Sequence, residues 1–359
     1  MTKTLRFMWS LSSVGDKLRR SRSLTEMSGL PNLDEHVEFC RRAESSGIDS
    51  LLMAFGFTRP DPITYSAALG AHTEKIRFLV AVRSGIFSPT YFVQQINTLS
   101  AVTGGRVCVN IVAGRAPDEL RYYGDFLPHD ERYERTDEFW RICHALWRGD
   151  GPVDFTGRHY RVEGARINTP FASDDLRRPE IYLGGSSDQA HDLAMRHADC
   201  LLTLPDTPAR MAPKIRPVLA SGTEAGLLVT LICKPTRAEA VEAAHAVVAS
   251  AGEKARARHD VLRGRSDSVG YTTTYDLDSA WPTPYLWTGA VPYLGPPGIA
   301  LVGSPEEIVN ALAEYQAVGV TRFLFMGHPD LEQMTFFGEE VLPMVRERES
   351  VGAANRWRN

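Results

Sequence analysis

The five residues Gly184-Gly185-Ser186-Ser187-Asp188 stand between an apolar run, Pro179–Leu183, and a helical pattern that begins at Ser187. Free backbone N–H groups at a helix start attract anions, the two glycines let a ligand approach closely, and the two hydroxyls add donors. Phosphate is the guest this chemistry suits. A capped loop, in which Ser or Asp satisfies the helix end, accounts for the same residues equally well. Asn110 interrupts another apolar run, Val107–Val112. A buried amide must be hydrogen-bonded, either by neighbouring backbone or by a ligand. His129 and Tyr133 are spaced i and i+4, so on a helix they share one face, for packing and capping or for a ligand.

These residues need elements to hold them, and the chain supplies an alternation. Apolar, strand-like runs occur at Leu5–Leu11, Ser50–Ala54, Ile76–Val82, Val107–Val112, Pro179–Leu183, Ala198–Leu204, Leu227–Cys233 and Thr321–Phe325. Helical patterns lie between them: Leu33–Ser46 capped by Asn32, Pro62–His72, Ser88–Val102, Asp130 to Trp147, Ser187–His197, Pro208–Ala220 and Thr236–Ala251. Two more follow, from Ser304 and over Leu331–Val345. The Thr236 helix opens on a capping box with Glu239. Eight strand candidates, each followed by a helix, predict a closed (β/α)8 TIM barrel with insertions. An open doubly wound sheet would want Gly-x-Gly-x-x-Gly after its first strand, where Ser12-Ser13-Val14-Gly15-Asp16 stands instead. One barrel domain is expected over residues 1–359, with a hairpin-like insertion at 150–168 turning at Thr156-Gly157. A second insertion, 252–298, breaks the rhythm, polar at first and then rich in Tyr, Trp and Pro. It reads as a structureless, mobile lid.

Composition narrows the classes. A net charge of −4 leaves no basic footprint for nucleic acid. Short Arg-rich pieces such as 256–265 read as solvated loops. No apolar run reaches the ~18 residues of a membrane span. The start MTKTLRFMWSLSS lacks the apolar core of a secretory signal, so a cytoplasmic protein is expected. The five cysteines are scattered, without a CxxC pair, and read as reduced core fillers. No metal-ligand spacing is present.

The run NIVAG, followed by PDEL and HDERYERTDEF, resembles the flavin-dependent luciferase-like monooxygenases, with the alkanesulfonate monooxygenases as the nearest branch. The similarity extends from Met8-Trp9 to about Val345, apart from the second insertion. The resemblance implies a two-component enzyme. Reduced FMN comes from a separate flavin reductase and reacts with O2 to a flavin peroxide, which oxygenates a small organic substrate. It also implies a homodimer or homotetramer. It places Gly185, Ser186, Ser187 and Tyr133 on the flavin phosphate and His129 near the polar edge of the flavin. Ala81, Asn110 and Ala113 would lie beside the ring.

The departures from that pattern concern the substrate. Leu228 and Thr230 stand where the sulfonate-oxidising enzymes carry an Arg and a His, and Leu294 replaces a lid Arg. Val14 stands for a His, Arg59 for a Cys and His328 for a Tyr. Losing those cations removes most of the charge-assisted grip on a sulfonate, so simple alkanesulfonates are expected to be poor substrates. Candidates for catalysis are His328, Thr230 and Arg59, with Trp9, Trp287 and Tyr293 on the substrate side. Each has an ordinary structural reading as well: a turn His, a strand Thr, a surface-paired Arg, packed aromatics. Two other functions stay open: a deazaflavin-dependent oxidoreductase transferring hydride, and a flavin-binding protein without turnover.

Overall fold

The computed structural model describes residues 3–11, 32–57, 59–112, 117–266, 268–274, 279–327 and 330–354. Within them the eight expected runs form strands, and the ring closes. The strands are β1 (Arg6–Ser10), β2 (Ser50–Met53), β3 (Arg77–Val82), β4 (Val107–Val112), β7 (Glu180–Gly184), β8 (Cys200–Thr203), β9 (Glu224–Cys233) and β12 (Val320–Gly327). Each pairs in parallel with the next, and β12 pairs back onto β1. This is a (β/α)8 barrel.

Alternation along each strand divides the core in two. Met8, Leu79, Ala81, Cys108, Tyr182, Cys200 and Leu324 fill the barrel interior. Their neighbours Phe7, Trp9, Phe78, Val80, Val109, Ile181, Phe323 and Phe325 pack outward under the helices. All five cysteines are free and buried.

The amino end of the interior is closed by ions. Glu180 receives Arg6 at 3.0 Å, Arg77 at 2.9 Å and Arg322 at 2.6 Å, and Arg322 also reaches Glu224 at 3.1 Å. Burial alone would raise the Glu180 carboxyl, but the three guanidinium groups hold it below its ordinary value.

The helix starts follow their capping residues. Asn32 caps α1 (Leu33–Ser45), Asp61 caps α2 (Pro62–Gly70), and Pro89 opens α3 (Pro89–Thr103). Next come α4 (Pro117–Tyr122), α5 (His129–Arg148), α6 (Asp188–His197) and α7 (Pro208–Ala220). Between α5 and β7, strands β5 (Val153–Thr156) and β6 (Arg161–Ala165) make an antiparallel ribbon. Its turn sits on α5, because Glu138 accepts the N–H groups of Arg158, His159 and Tyr160 at 2.7–2.9 Å. A Cβ at Gly157 would stand 2.4 Å from that carboxylate.

The segment expected to be structureless is largely built in its described parts. The helix begun by the Thr236 capping box does not stop at Ala251. After a kink at Gly252 (φ 67°, ψ 171°) it continues, giving α8 (Arg237–Arg265). A glycine at positive φ bends the chain there, and the Arg-rich stretch read as solvated loop is helical. Short helix α9 (Val269–Thr273), strand β10 (Leu286–Trp287) and helical turn α10 (Val291–Leu294) follow. Strand β11 (Ala300–Gly303) was not expected. It runs parallel to the upper half of β9, with Ala300 opposite Thr230, and β10 pairs antiparallel on its other side. The chain ends in α11 (Pro305–Ala317), α12 (Asp330–Phe336), a π-helical turn Phe337–Val341 and α13 (Leu342–Ala354). No described helix is long and apolar enough to cross a membrane.

Candidate active site

The carboxyl ends of the strands carry the polar residues singled out in the sequence. Asn110 lies on β4 with the interior parity of Cys108, opposite Ala81 of β3 and Tyr182 of β7. It is 6% exposed, and its Oδ1 is buried without a hydrogen-bond partner. A core asparagine bonded through Oδ1 to neighbouring backbone is therefore not what stands here. An unmet buried acceptor costs about 1–3 kcal/mol, which a ligand carrying a donor would recover. Small residues surround it. Ala81 is 3% exposed, and a Cβ placed on Gly184 would lie 3.7 Å from Asn110 Oδ1. The backbone on either side of this amide carries little or no side chain, so a flat group could approach it closely. Ala113, expected in the same group, lies outside the described residues.

From Gly184 the chain turns into the helix start read as an anion cradle. Ser187 is the N-cap of α6, and its Oγ accepts the Ala190 N–H at 3.2 Å. The same hydroxyl donates to the Tyr133 hydroxyl at 3.3 Å. Ser186 Oγ is 3.2 Å from Thr203 Oγ1. Gly185 is required by packing, since a Cβ there would stand 2.5 Å from Ala190 Cβ. The His129 ring lies tilted against that of Tyr133, centroids 5.1 Å apart, and its Nδ1 is 2.9 Å from Asp130 Oδ1. The structure thus gathers Tyr133, Ser186, Ser187 and His129 at one helix start. Ser187 caps its helix, and its hydroxyl and that of Tyr133 meet beside the helix start.

The second insertion packs against this edge of the mouth. A Cβ on Gly270 of α9 would lie 2.8 Å from Ser186 Oγ and 3.2 Å from Leu204. The turn before β11 is pinned to the barrel through Thr230. Its hydroxyl donates to the Pro297 carbonyl at 2.7 Å, and its N–H donates to Ile299 O at 3.1 Å.

Three expected site residues are placed otherwise. Thr230 is 1% exposed and its hydroxyl proton is committed to Pro297, so it anchors the insertion. Trp9 has the outward parity of Phe7. It is fully buried beneath the helices, 5.6 Å from Phe325. Trp287 lies in a satellite core with Ile232, Ala240, Ala244 and Val302, where β10 covers α8. Thr230 was expected among the catalytic residues and the two tryptophans on the substrate side, because the sequence gives residue type without parity. Arg59 stands in the loop after β2, its Cδ 3.9 Å from a Cβ placed on Gly56, and is consistent with a rim position. Tyr293 is half-buried on α10. His328 lies outside the described residues.

Arg83 was passed over in the sequence. It follows β3 directly, and its parity continues Leu79 and Ala81, so it enters the mouth from the wall that holds Asn110. Its side chain is 8% exposed. Nη2 donates to Glu119 Oε2 of α4 at 3.1 Å, and the guanidinium lies 4.8 Å from the Phe55 ring centroid and 5.9 Å from that of Tyr123. Nε and Nη1 are buried and have no hydrogen-bond partner. Counting two residues beyond Ala81 would have found it.

The comparisons agree with this architecture. The model of a family described as luciferase-like monooxygenase matches residues 6–322. A riboflavin lyase crystallised with modified FMN and riboflavin superposes with a TM-score of 0.77 at 20% identity, covering 97% of this chain and 92% of that one. EDTA monooxygenase from Chelativorans sp. BNC1 gives 0.74 at 18% identity, over 97% and 95%. A secondary alcohol dehydrogenase dependent on coenzyme F420 gives 0.67 at 20% identity, over 96% and 99%. At such identities the structural matches show the shared fold.

Proposed function

The chain belongs to the luciferase-like monooxygenase family, and from that premise we propose that it is a two-component monooxygenase. It takes reduced FMN from a separate reductase and uses O2 to oxygenate a small organic substrate other than a simple alkanesulfonate. The observation that carries this reading is a pairing at one end of the barrel. An orphaned acceptor, Asn110 Oδ1, lies beside Ala81 and Gly184, which have little or no side chain, and the residues after Gly184 form a hydroxyl-lined helix start.

The residues fit the group. Ser186, Ser187, Tyr133 and the N–H groups opening α6 hold the phosphate, where the helix dipole favours negative charge. His129 lies beside them. Asn110 Oδ1 would accept a donor from the flavin, and the small Ala81 would leave its strand approachable by a flat ring. When bound, reduced FMN supplies the reaction with dioxygen. The chain's part is to orient and to keep water out. The interior beneath the site is apolar, with Met8, Leu79 and Leu324 buried and Leu228 packed on them. The segment around α9 and the Thr230-anchored turn cover the mouth from the side of β8 and β9. Exclusion of water strengthens every polar contact made inside.

An anaerobic titration with reduced FMN tests the reading. Saturable binding, followed on admitting O2 by release of hydrogen peroxide that falls when substrate is supplied, is expected. Saturation by a reduced deazaflavin in place of FMN would overturn the assignment of cofactor.

A further inference from the structure

Arg83 has no part in the phosphate cradle, and its surroundings describe a ligand of their own. The guanidinium offers two forked edges that share Nη2. Glu119 meets that shared nitrogen through a single oxygen, Oε2. The other nitrogen of each fork, Nε in one and Nη1 in the other, therefore stays idle, and both are buried. A guanidinium placed in a dry site with half of each fork unused lacks the planar partner its geometry matches. The rings of Phe55 and Tyr123, 5.1 Å apart, shield it and form an apolar wall. A carboxylate seated on Arg83 would displace part of that wall and press its hydrocarbon body against the ring faces.

We propose that Arg83 is the residue that recognises the substrate, and that the substrate is an organic carboxylate with an aromatic or bulky apolar body. In the absence of substrate, Glu119 occupies the place of the carboxylate in part, with one oxygen where a ligand would bring two. The cation differs in place from those lost at Leu228, Thr230 and Leu294, so the anion would enter along the β2–β3 wall. The proposal rests on this mouth being the site of the proposed reaction. Binding to the flavin-free chain separates the two claims.

The experiment is calorimetry of the flavin-free protein with benzoate and phenylacetate, and with the neutral amides benzamide and phenylacetamide. The wild type should prefer each acid over its amide by about tenfold or more, the span of a charge-assisted hydrogen-bonded pair. R83M should abolish the preference. The double variant R83M/E119Q, which leaves no unpaired buried carboxylate, should do the same while keeping the fold, read by circular dichroism. E119Q alone should tighten acid binding several-fold by freeing the shared nitrogen. Equal binding of acid and amide by the wild type overturns the proposal, as does a preference that survives in R83M/E119Q. So does weaker acid binding in E119Q. A loss of reduced-FMN affinity in R83M with acid binding intact would instead give Arg83 to the cofactor. Failure of the wild type to bind FMN, with the acid preference present, would sink the flavin reading and leave this one standing.

Discussion

Ser187→Ala separates the two duties the structure gives one hydroxyl. As N-cap of α6, Ser187 Oγ accepts the Ala190 N–H at 3.2 Å. Removing such a cap costs about 1 kcal/mol of stability, or a fall of about 2 °C in Tm for a chain of this size. As a phosphate ligand the same hydroxyl would donate to an anion. Losing a hydrogen bond to a charged group costs about 1.5–3 kcal/mol, which weakens binding roughly 10- to 100-fold. The assay compares reduced FMN with reduced riboflavin, which lacks the phosphate. In S187A, FMN affinity should fall by that factor while riboflavin affinity holds within twofold. If both flavins weaken together, the substitution has loosened the helix start and the cradle holds no phosphate. If neither changes while Tm falls, the serine is a cap and nothing else.

Other outcomes follow from particular contacts. Supplied with reduced FMN and ethane- to octanesulfonate, the enzyme should release sulfite at no more than background, because Leu228 and Leu294 offer no charge; efficient sulfite release would refute this. Trp287→Ala should cost about 3–5 kcal/mol of stability through the cavity left between β10 and α8, read in urea. Reduced-FMN affinity should hold, and a selective loss of it would return Trp287 to the site. Acid should unfold the barrel from its amino end. Burial alone would raise the Glu224 carboxyl, but hydrogen bonds from Arg322, Lys3 and Thr321 bring it down to about 2, from an ordinary 4.5. A carboxylate depressed in the fold stabilises fully above its unfolded value, and loses that contribution as pH falls through its folded one. Urea midpoints should therefore decline between pH 4.5 and about 2, and E224Q should flatten that decline; a midpoint independent of pH in the wild type would contradict it.

The barrel was legible because its strands are buried on both faces, which writes them as unbroken apolar runs such as IRFLVAV and LLVTLIC. That same property hid the parity of single residues. In a strand apolar on both sides nothing in the sequence says which neighbour faces inward, so Trp9 could be taken for a pocket residue while Arg83 was overlooked. The capped helix start at Ser187 was readable because its signal is local: two glycines, two hydroxyls and the onset of a helical pattern. The second insertion was not. Its order comes from long-range pairing, Ala300 opposite Thr230 and Leu286 opposite Leu301, and four-residue β11 is too short to stand out after Pro296-Pro297-Gly298.

The two ends of the barrel divide stability from recognition. At the amino end, Glu180 is met by Arg6, Arg77 and Arg322, and Glu224 by Arg322 and Lys3. At the carboxyl end, Asn110 Oδ1 and two N–H groups of Arg83 are buried without partners. Polar groups left unmet inside a protein destabilise it, so a chain can hold them only where the rest of the structure fixes their positions. The ionic floor and the double apolar layer do that here. The unmet groups also differ in kind, an acceptor on β4 and donors on the wall beside it. A flavin ring N–H would answer the first demand, and an organic anion seated beside it, as proposed for Arg83, would answer the second. On this argument the mouth is built for two guests at once, and occupancy by the flavin alone should leave the Arg83 wall closed.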